Sequence, residues 1–354
     1  MGIQVFAVNA SPTLRPTIKD VARVASVSQS TVSYILNNAR ASERISNETK
    51  KRVWLAVEQL GYKFNPIGRA LQRGYTNQVT LLIVTWNLAT SHSATAMAIS
   101  RVAARHDLAL TVHVADDDES AEAFIKRSIF HNLGGVLVLW DSPAFEQSSL
   151  RKIALEGVPV IDLLPGTPDG ISVVTADRED AGYRATLHLL ELGHKRIGVI
   201  GDTLTRPKTT LRKLAGYRRA LEGAGLAYDE NLVQNVTEFG FEGGRMGLQQ
   251  LLQHAPGVTG LFCINDGIAL GAMEAAKDLG RDCPAALSIV GFGDTAEGNH
   301  WRPRLTTFAL SSDRVAASAI HLVLDQRLHP GLDPRAILIP EDIILRQSTA
   351  RAPG

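Results

Sequence analysis

The sequence predicts two architectures in series: an N-terminal all-α helix-turn-helix headpiece and an α/β core of two doubly wound parallel-sheet subdomains. Three observations lead there. Between residues 17 and 62 apolar residues recur at helical spacing, with a break at Ser26-Val27-Ser28. From residue 78 onward, short Val/Ile/Leu runs alternate with helix-like segments, the pattern of parallel strands covered on both faces. The basic charge is also concentrated at one end. Residues 1–75 hold 11 Lys and Arg against 4 Asp and Glu, whereas the remainder holds 26 against 32. A basic module on an acidic body suits a polyanionic partner for the module alone.

Composition narrows the classes further. A chain of 354 residues is long for one core and suits two or three domains. No apolar run reaches the roughly 18–20 residues of a membrane span. The opening MGIQVFAVNASPTLRP lacks a basic stretch followed by an apolar one, so a cytoplasmic protein is expected. Cys263 and Cys283 are too few and too far apart for a metal cluster or a disulfide framework, and read as buried thiols. No cofactor, metal or catalytic residue is expected.

Residues 1–15 read as a loose tail. Thr17 then caps IKDVARVA, with Asp20 three residues on in the place of the usual Glu. Ser28 is a plausible N-cap for QSTVSYILNN, which buries Val32, Ile35 and Leu36. After the polar loop NNARASER, Ser46 caps a third helix. Its apolar side is Val53, Leu55, Ala56, Val57 and Leu60, and Gly61 ends it. NPIGRALQRGYTN is Gly-interrupted and marginal as a helix in isolation. Strands are expected at 79–85, 109–115, 135–140, 158–163, 196–201, 260–264 and 287–292. No GxGxxG follows a strand, and neither GxxxxGK[ST] nor GxSxG occurs, which removes the usual support for nucleotide enzymes and serine hydrolases. His194, just after Gly193, fits a helix C-terminus better than a catalytic base, since no Ser or Cys partner accompanies it recognisably.

The stretch SVSQSTVSYILNN concentrates short donors and acceptors: Ser28, Gln29, Ser30, Thr31 and Ser33. A helix in the major groove needs such side chains at its N-terminal end, some for phosphates and some for base edges. A solvated polar face with capping serines is the plainer alternative. The basic module and the tight turn beside it favour the DNA reading.

TIKDVARVASVSQSTVSYILNN and ISNETKKRVWLAVEQLGYKFNPIGRAL closely resemble the headpiece of the lactose-repressor (LacI/GalR) family of bacterial transcription regulators. The similarity continues in ELGHKRIGVIG, LAGYRRALEGAGL, INDGIALGAMEAAKDLG, SIVGFGD and RPRLTTF, and spans residues 16–350. The resemblance implies a homodimer on double-stranded pseudo-palindromic operator DNA, and a periplasmic-binding-protein-like core. It implies a tail at 1–15, a DNA-binding domain at 16–62 and a hinge helix or linker at 63–77. One core subdomain would comprise 78–177 and 307–338, the other 178–306 and 339–354.

By position, Thr17, Ser28, Thr31, Ser33 and Asn37 fall where the family contacts phosphates, and Gln29, Ser30 and Tyr34 where it reads bases. Ser46, Thr49 and Tyr62 join the DNA-facing set. In the hinge, Leu71 would wedge between base steps, with Asn65, Gly68 and Arg69 beside it. Tyr34 cannot make the bidentate guanine contact of an Arg, and Ser26 replaces the Gly common in the turn. For the effector, the resemblance points to Trp86, Arg212, Lys213, Phe239, Asn265, Asp266, Asp294 and Trp301, with Gly293 where many sugar binders carry an Asp. The implied effector is a sugar, sugar acid or related metabolite; Gly293 counts against a neutral pyranose held by a bidentate carboxylate, and Lys213 and Arg212 would suit an acidic ligand such as a sugar acid or phosphate. The chain ends without a heptad-bearing tail, so dimers are expected, with no membrane partner. The expected function is repression of a catabolic operon under small-molecule control, by a protein associated with the nucleoid when bound to DNA. The alternatives are an activator, a corepressor-dependent regulator, or a ligand-binding protein without DNA activity.

Overall fold

The structure, a computed structural model, describes residues 16–36, 40–62, 75–84, 90–115, 117–128, 133–140, 148–164, 170–201, 207–238 and 240–353. The chain divides into two compact units, Met1–Gln72 and Arg73–Gly354.

In the first unit α1 (Ile18–Ala25), α2 (Gln29–Leu36) and α3 (Asn47–Leu60) follow one another, with a 3-10 turn at Arg40–Arg44. The Thr17 N–H and hydroxyl both donate to Asp20 Oδ2, at 2.9 and 2.7 Å, which fixes the start of α1. Ser26 leaves α1 in the left-handed region, at φ 53° and ψ 48°, and so turns the chain into α2. Val21, Ala22, Ala25, Val32, Ile35, Leu36, Val53 and Ala56 form one small core. Leu55, expected on the apolar side of α3, is instead 56% exposed. It lies two positions past Val53, about 200° around a helix of 3.6 residues per turn, and so faces away from the core. The predicted tail 1–15 and most of the hinge segment (63–74) lie outside the described residues.

The second unit contains two six-stranded sheets. The first is built from β1 (Gln78–Val84), β2 (Ala109–Ala115), β3 (Val136–Trp140), β4 (Val160–Asp162), β5 (Ser172–Ala176) and β11 (Ala336–Ile339). Its order is β11-β5-β4-β3-β1-β2, parallel throughout. The helices between its strands are α4 (Thr90–Arg105), α5 (Asp118–Ser128) and α6 (Ser148–Leu155). The second sheet is built from β6 (Ile197–Gly201), β7 (Val233–Asn235), β8 (Gly260–Cys263), β9 (Ser288–Phe292), β10 (Thr306–Ala309) and β12 (Asp342–Ile344). Its order is β12-β10-β9-β8-β6-β7, with only β12 antiparallel. Its helices are α7 (Arg178–Glu191), α8 (Pro207–Gly223), α9 (Phe241–His254), α10 (Asp266–Asp278) and α11 (Ala296–His300), while α12 (Ser312–Leu328) packs in the core of the first sheet. Among the described residues no helix is long and apolar enough to cross a membrane.

The seven expected strands all occur, within two residues at each end. Five more have no long aliphatic run to announce them. β7 and β12 are three residues long, β5 (SVVTA) and β10 (TTFA) are rich in hydroxyls, and β11 is an edge strand with Ala336 and Leu338 exposed. The expected subdomain boundary at 306/307 falls inside β10, which pairs with β9 in the second sheet. The chain therefore crosses after Ala309, not before Thr307. Ile339, expected in the second subdomain, pairs with Ala176 in the first sheet.

Three crossovers thus join the subdomains, at Asp177, at residues 310–311 and at residues 340–341. All three leave directly from the C-terminal ends of parallel strands, β5, β10 and β11. The C-terminal edges of both sheets accordingly face the crossover region, where open α/β sheets place their ligands. Behind it, α7 and α8 cross with no room for a side chain. A Cβ on Gly182 would stand 2.1 Å from the Lys213 carbonyl oxygen, and one on Gly216 2.0 Å from that of Glu179.

Candidate functional site

α2 has a capped N-terminus, a buried apolar face and an exposed polar face. Ser28 Oγ accepts from the Thr31 N–H at 3.1 Å and lies 2.7 and 2.8 Å from the Ser30 and Thr31 hydroxyls, so one side chain caps the helix and orders its neighbours. Val32, Ile35 and Leu36 anchor the buried face. Gln29, Ser30 and Tyr34 are exposed on the other, Tyr34 by 46%. Ser30 and Tyr34, like Gln29 and Ser33, are four residues apart and share a face. At the start of α3 the Ser46 hydroxyl caps Thr49 N–H at 3.3 Å and meets the Thr49 hydroxyl at 2.9 Å. Thr17 and Ser46 thus stand at helix N-termini, where backbone N–H groups favour anions. Tyr62 packs half-buried against the headpiece core. Asn37, Asn65, Gly68, Arg69 and Leu71 lie outside the described residues.

In the second unit Lys213, on α8, is 4% exposed. Its Nζ donates to the Ile264 carbonyl at 2.7 Å, just past the end of β8, and stands 3.6 Å from the ring centroid of Phe292, the last residue of β9. Asn265 caps α10, its Oδ1 accepting from the Ile268 N–H at 2.7 Å. Its Nδ2 is buried with no hydrogen-bond partner among the described residues. Asp266 uses both carboxylate oxygens internally: Oδ1 accepts from the Thr307 hydroxyl at 2.6 Å and Oδ2 from the Thr295 N–H at 2.8 Å. Lys213, Asn265 and Asp266 therefore converge at the strand ends, with Asp266 fixing the wall and Asn265 leaving a donor free.

Arg212 and Trp301 fall elsewhere, whereas Asp294 lies close to Asp266. Arg212 is exposed although its neighbour Lys213 is buried, because successive helical residues point about 100° apart. Asp294 is ion-paired with Arg346. Trp301 stands 6.0 Å from Phe241, centroid to centroid, and walls a cavity of about 390 Å³ with Met273, Lys277 and Cys283. No ring contact or hydrogen bond among the described residues joins Trp301 to Lys213 or Asn265. Trp86 and Phe239 lie outside the described residues.

Two residues that carried no sequence signal complete the cluster. Arg178, the first residue of α7 after the first crossover, pairs with Glu341 of the third at 3.0 Å; their side chains are 18% and 3% exposed. Arg184 also donates to the Glu341 carbonyl at 2.6 Å. Burial, helped by the Arg178 charge and opposed by Glu341 and Asp266, lowers the Lys213 ammonium from 10.5 to about 7. Burial raises the Asp266 carboxyl, against its bonds to Thr307 and Thr295.

His194 has a structural place. It is 1% exposed, with Nδ1 3.0 Å from the Thr259 hydroxyl and Nε2 3.1 Å from the Ala350 carbonyl, and it ties the C-terminal segment to the second sheet. Burial lowers its pKa.

A helix-turn-helix unit followed by two parallel-sheet subdomains with polar groups at their facing strand ends defines a ligand-controlled DNA-binding regulator. Residues 17–65 match the family model described as bacterial regulatory proteins, lacI family, and residues 186–349 match the periplasmic binding protein-like domain. The HTH-type transcriptional repressor PurR of Klebsiella pneumoniae is 30% identical over 347 residues, covering 95% of this chain and 98% of that protein. PurR of Escherichia fergusonii is 29% identical over 340 residues, with the same coverages. The lac repressor dimer bound to operator and the anti-inducer ONPF superposes with a TM-score of 0.74 at 21% identity, covering 95% of this chain and all of that one. The transcriptional regulator CelR in complex with cellobiose gives 0.68 at 25% identity, covering 94% and 100%. The chain belongs to the lacI family of bacterial regulatory proteins. It is a DNA-binding transcriptional repressor under small-molecule control, not an enzyme.

Proposed function

We propose that two copies of the chain bind a pseudo-palindromic operator, each reading one half-site with Gln29, Ser30 and Tyr34 of α2. A small polar effector, a sugar or sugar derivative, enters between the core subdomains at Lys213 and Asn265. The observation that carries the DNA half is the exposed Gln29/Ser30/Tyr34 face over a buried Val32/Ile35/Leu36 anchor, capped by Ser28. The effector half is supported by the free Asn265 Nδ2 beside a buried lysine at the strand ends, and by the likeness to a cellobiose-bound regulator. Met97, Val112 and Val114, exposed on α4 and the edge strand β2, supply apolar surface for a second copy. Effector binding would change the angle between subdomains about the three crossovers, and with it the spacing of the two headpieces. The protein acts in the cytoplasm, on the nucleoid.

The test uses the full chain and an operator selected from a randomised duplex pool. Gln29→Ala and Tyr34→Ala should each reduce preference for the selected duplex over random DNA by about 5- to 100-fold, the effect of losing one base contact. Unchanged preference in both variants removes the assignment of α2 as the reading helix.

A further inference from the structure

We propose that the Arg178–Glu341 pair sets the charge selectivity of the effector cleft, admitting uncharged polyhydroxylated ligands and excluding anionic ones. This rests on the reading that the effector binds at the crossover region. It departs from the acidic ligand that Lys213 and Arg212 suggest in the sequence.

Geometry places the pair on the cleft wall. Arg178 lies one helical turn before Gly182, whose Cα faces the Lys213 carbonyl where α7 crosses α8, so Arg178 and Lys213 lie near one crossing point. Glu341 reaches the same point from the third crossover, held by Arg178 through its side chain and by Arg184 through its carbonyl. Four buried polar atoms around this point have no partner among the described residues: Arg178 Nε, Glu341 Oε2, Thr210 Oγ1 and Asn265 Nδ2. Glu341 is 2% and Thr210 1% exposed, and a ligand or water reaching these atoms would satisfy them.

Their chemistry selects the ligand. Two are N–H donors, one is a carboxylate oxygen that only accepts, and one is a hydroxyl that does either. A polyol matches such a mixed set, because each of its hydroxyls both donates and accepts. A carboxylate or phosphate would satisfy the donors but meet the Glu341 oxygen with like charge. The nearby cations are each engaged: Arg178 pairs with Glu341 Oε1, Lys213 donates to the Ile264 carbonyl and lies over the Phe292 ring, and Arg212 is exposed, which leaves the unpartnered Glu341 Oε2 as the charged atom a ligand meets. Asp266, with both oxygens bonded inside its own subdomain, adds negative charge and no acceptor.

The experiment is isothermal calorimetry on the full-length wild type, Glu341→Gln, Arg178→Gln and Asn265→Ala. The probes are cellobiose, ribose, gluconate, glucose 6-phosphate and inorganic phosphate, and folding is checked by thermal unfolding. A neutral sugar should bind wild type at least 10-fold more tightly than either acid derivative or phosphate. Glu341→Gln should shrink that ratio at least 10-fold, mainly by admitting the anions, an effect that hinge distortion alone would not give. Arg178→Gln, which leaves Glu341 unpaired, should widen it. An anion that binds wild type as tightly as the neutral sugars overturns the inference. So does a ratio unchanged in Glu341→Gln, or the absence of binding by both neutral sugars. A probe whose affinity falls in Asn265→Ala while the ratio ignores Glu341 sinks the charge-selectivity inference and leaves the cleft in place. A probe indifferent to Asn265→Ala, Glu341→Gln and Arg178→Gln alike binds elsewhere, which removes the cleft reading and this inference with it.

Discussion

Lys213→Met should make the core more stable and the repressor deaf to its effector. Met keeps the unbranched shape and much of the volume of the lysine, so packing changes little. Below pH 7 the native state holds a buried ammonium whose pKa has fallen from 10.5 to about 7. At about 1.36 kcal/mol per pH unit that difference corresponds to roughly 5 kcal/mol of destabilisation, which the substitution removes. Loss of the donor to the Ile264 carbonyl, 2.7 Å away, offsets about 1–3 kcal/mol. The net gain at pH 6 is then about 2–4 kcal/mol. Its pH dependence has a definite sign. Between pH 7 and 10.5 the unfolded chain binds more protons than the native one at this residue, so wild-type stability rises with pH through that window. The variant lacks this contribution, and its advantage should shrink by about 2–3 kcal/mol from pH 7 to pH 9. Urea unfolding of both proteins at pH 6, 7 and 9 measures the gap. Parallel pH profiles, or a variant less stable at pH 6, would show that Lys213 is not held charged against its burial.

Ser26→Gly should stabilise the headpiece by about 1 kcal/mol, because Ser26 sits at φ 53°, where a Cβ is unfavourable; thermal unfolding at the headpiece transition reads it. Gly216→Ala should cost the core more than about 2 kcal/mol, since its Cβ would stand 2.0 Å from the Glu179 carbonyl oxygen. Gly223→Ala, on the same helix with nothing within 4 Å, should be neutral or gain up to about 1 kcal/mol, and urea midpoints compare the two. His194→Ala should cost about 2–3 kcal/mol and raise protease cleavage near residue 350, because it removes the ring that bridges Thr259 and the Ala350 carbonyl.

Local chemistry was legible in the sequence wherever one residue type has one use. Ser28 and Ser46 are the N-caps their positions suggest, Gly61 ends α3 at φ 59°, and the aliphatic runs other than the exposed edge strand β2 became buried central strands. Reading failed where long-range pairing decides. β11 and β12 are strands only because β5 and β10 offer them an edge, and β10 belongs to the second sheet because it pairs with β9. The resemblance named Lys213 and Asn265, which meet at the strand ends, together with Arg212 and Trp301, which helical rotation and packing set apart from them. Arg178 and Glu341 are 163 residues apart and meet only because two crossovers do. No local pattern announces such a pair.

The most direct measurement is a fluorescence anisotropy titration of the full-length protein on its selected operator, repeated across salt and with a sugar that binds the core. Specific binding should exceed binding to random duplex by about 10³-fold or more. It should weaken steeply as salt rises, as phosphate contacts require. It should also shift at least fivefold when the sugar is added. Binding no tighter than to random DNA, or an operator affinity indifferent to a sugar bound in the cleft, contradicts a ligand-controlled repressor.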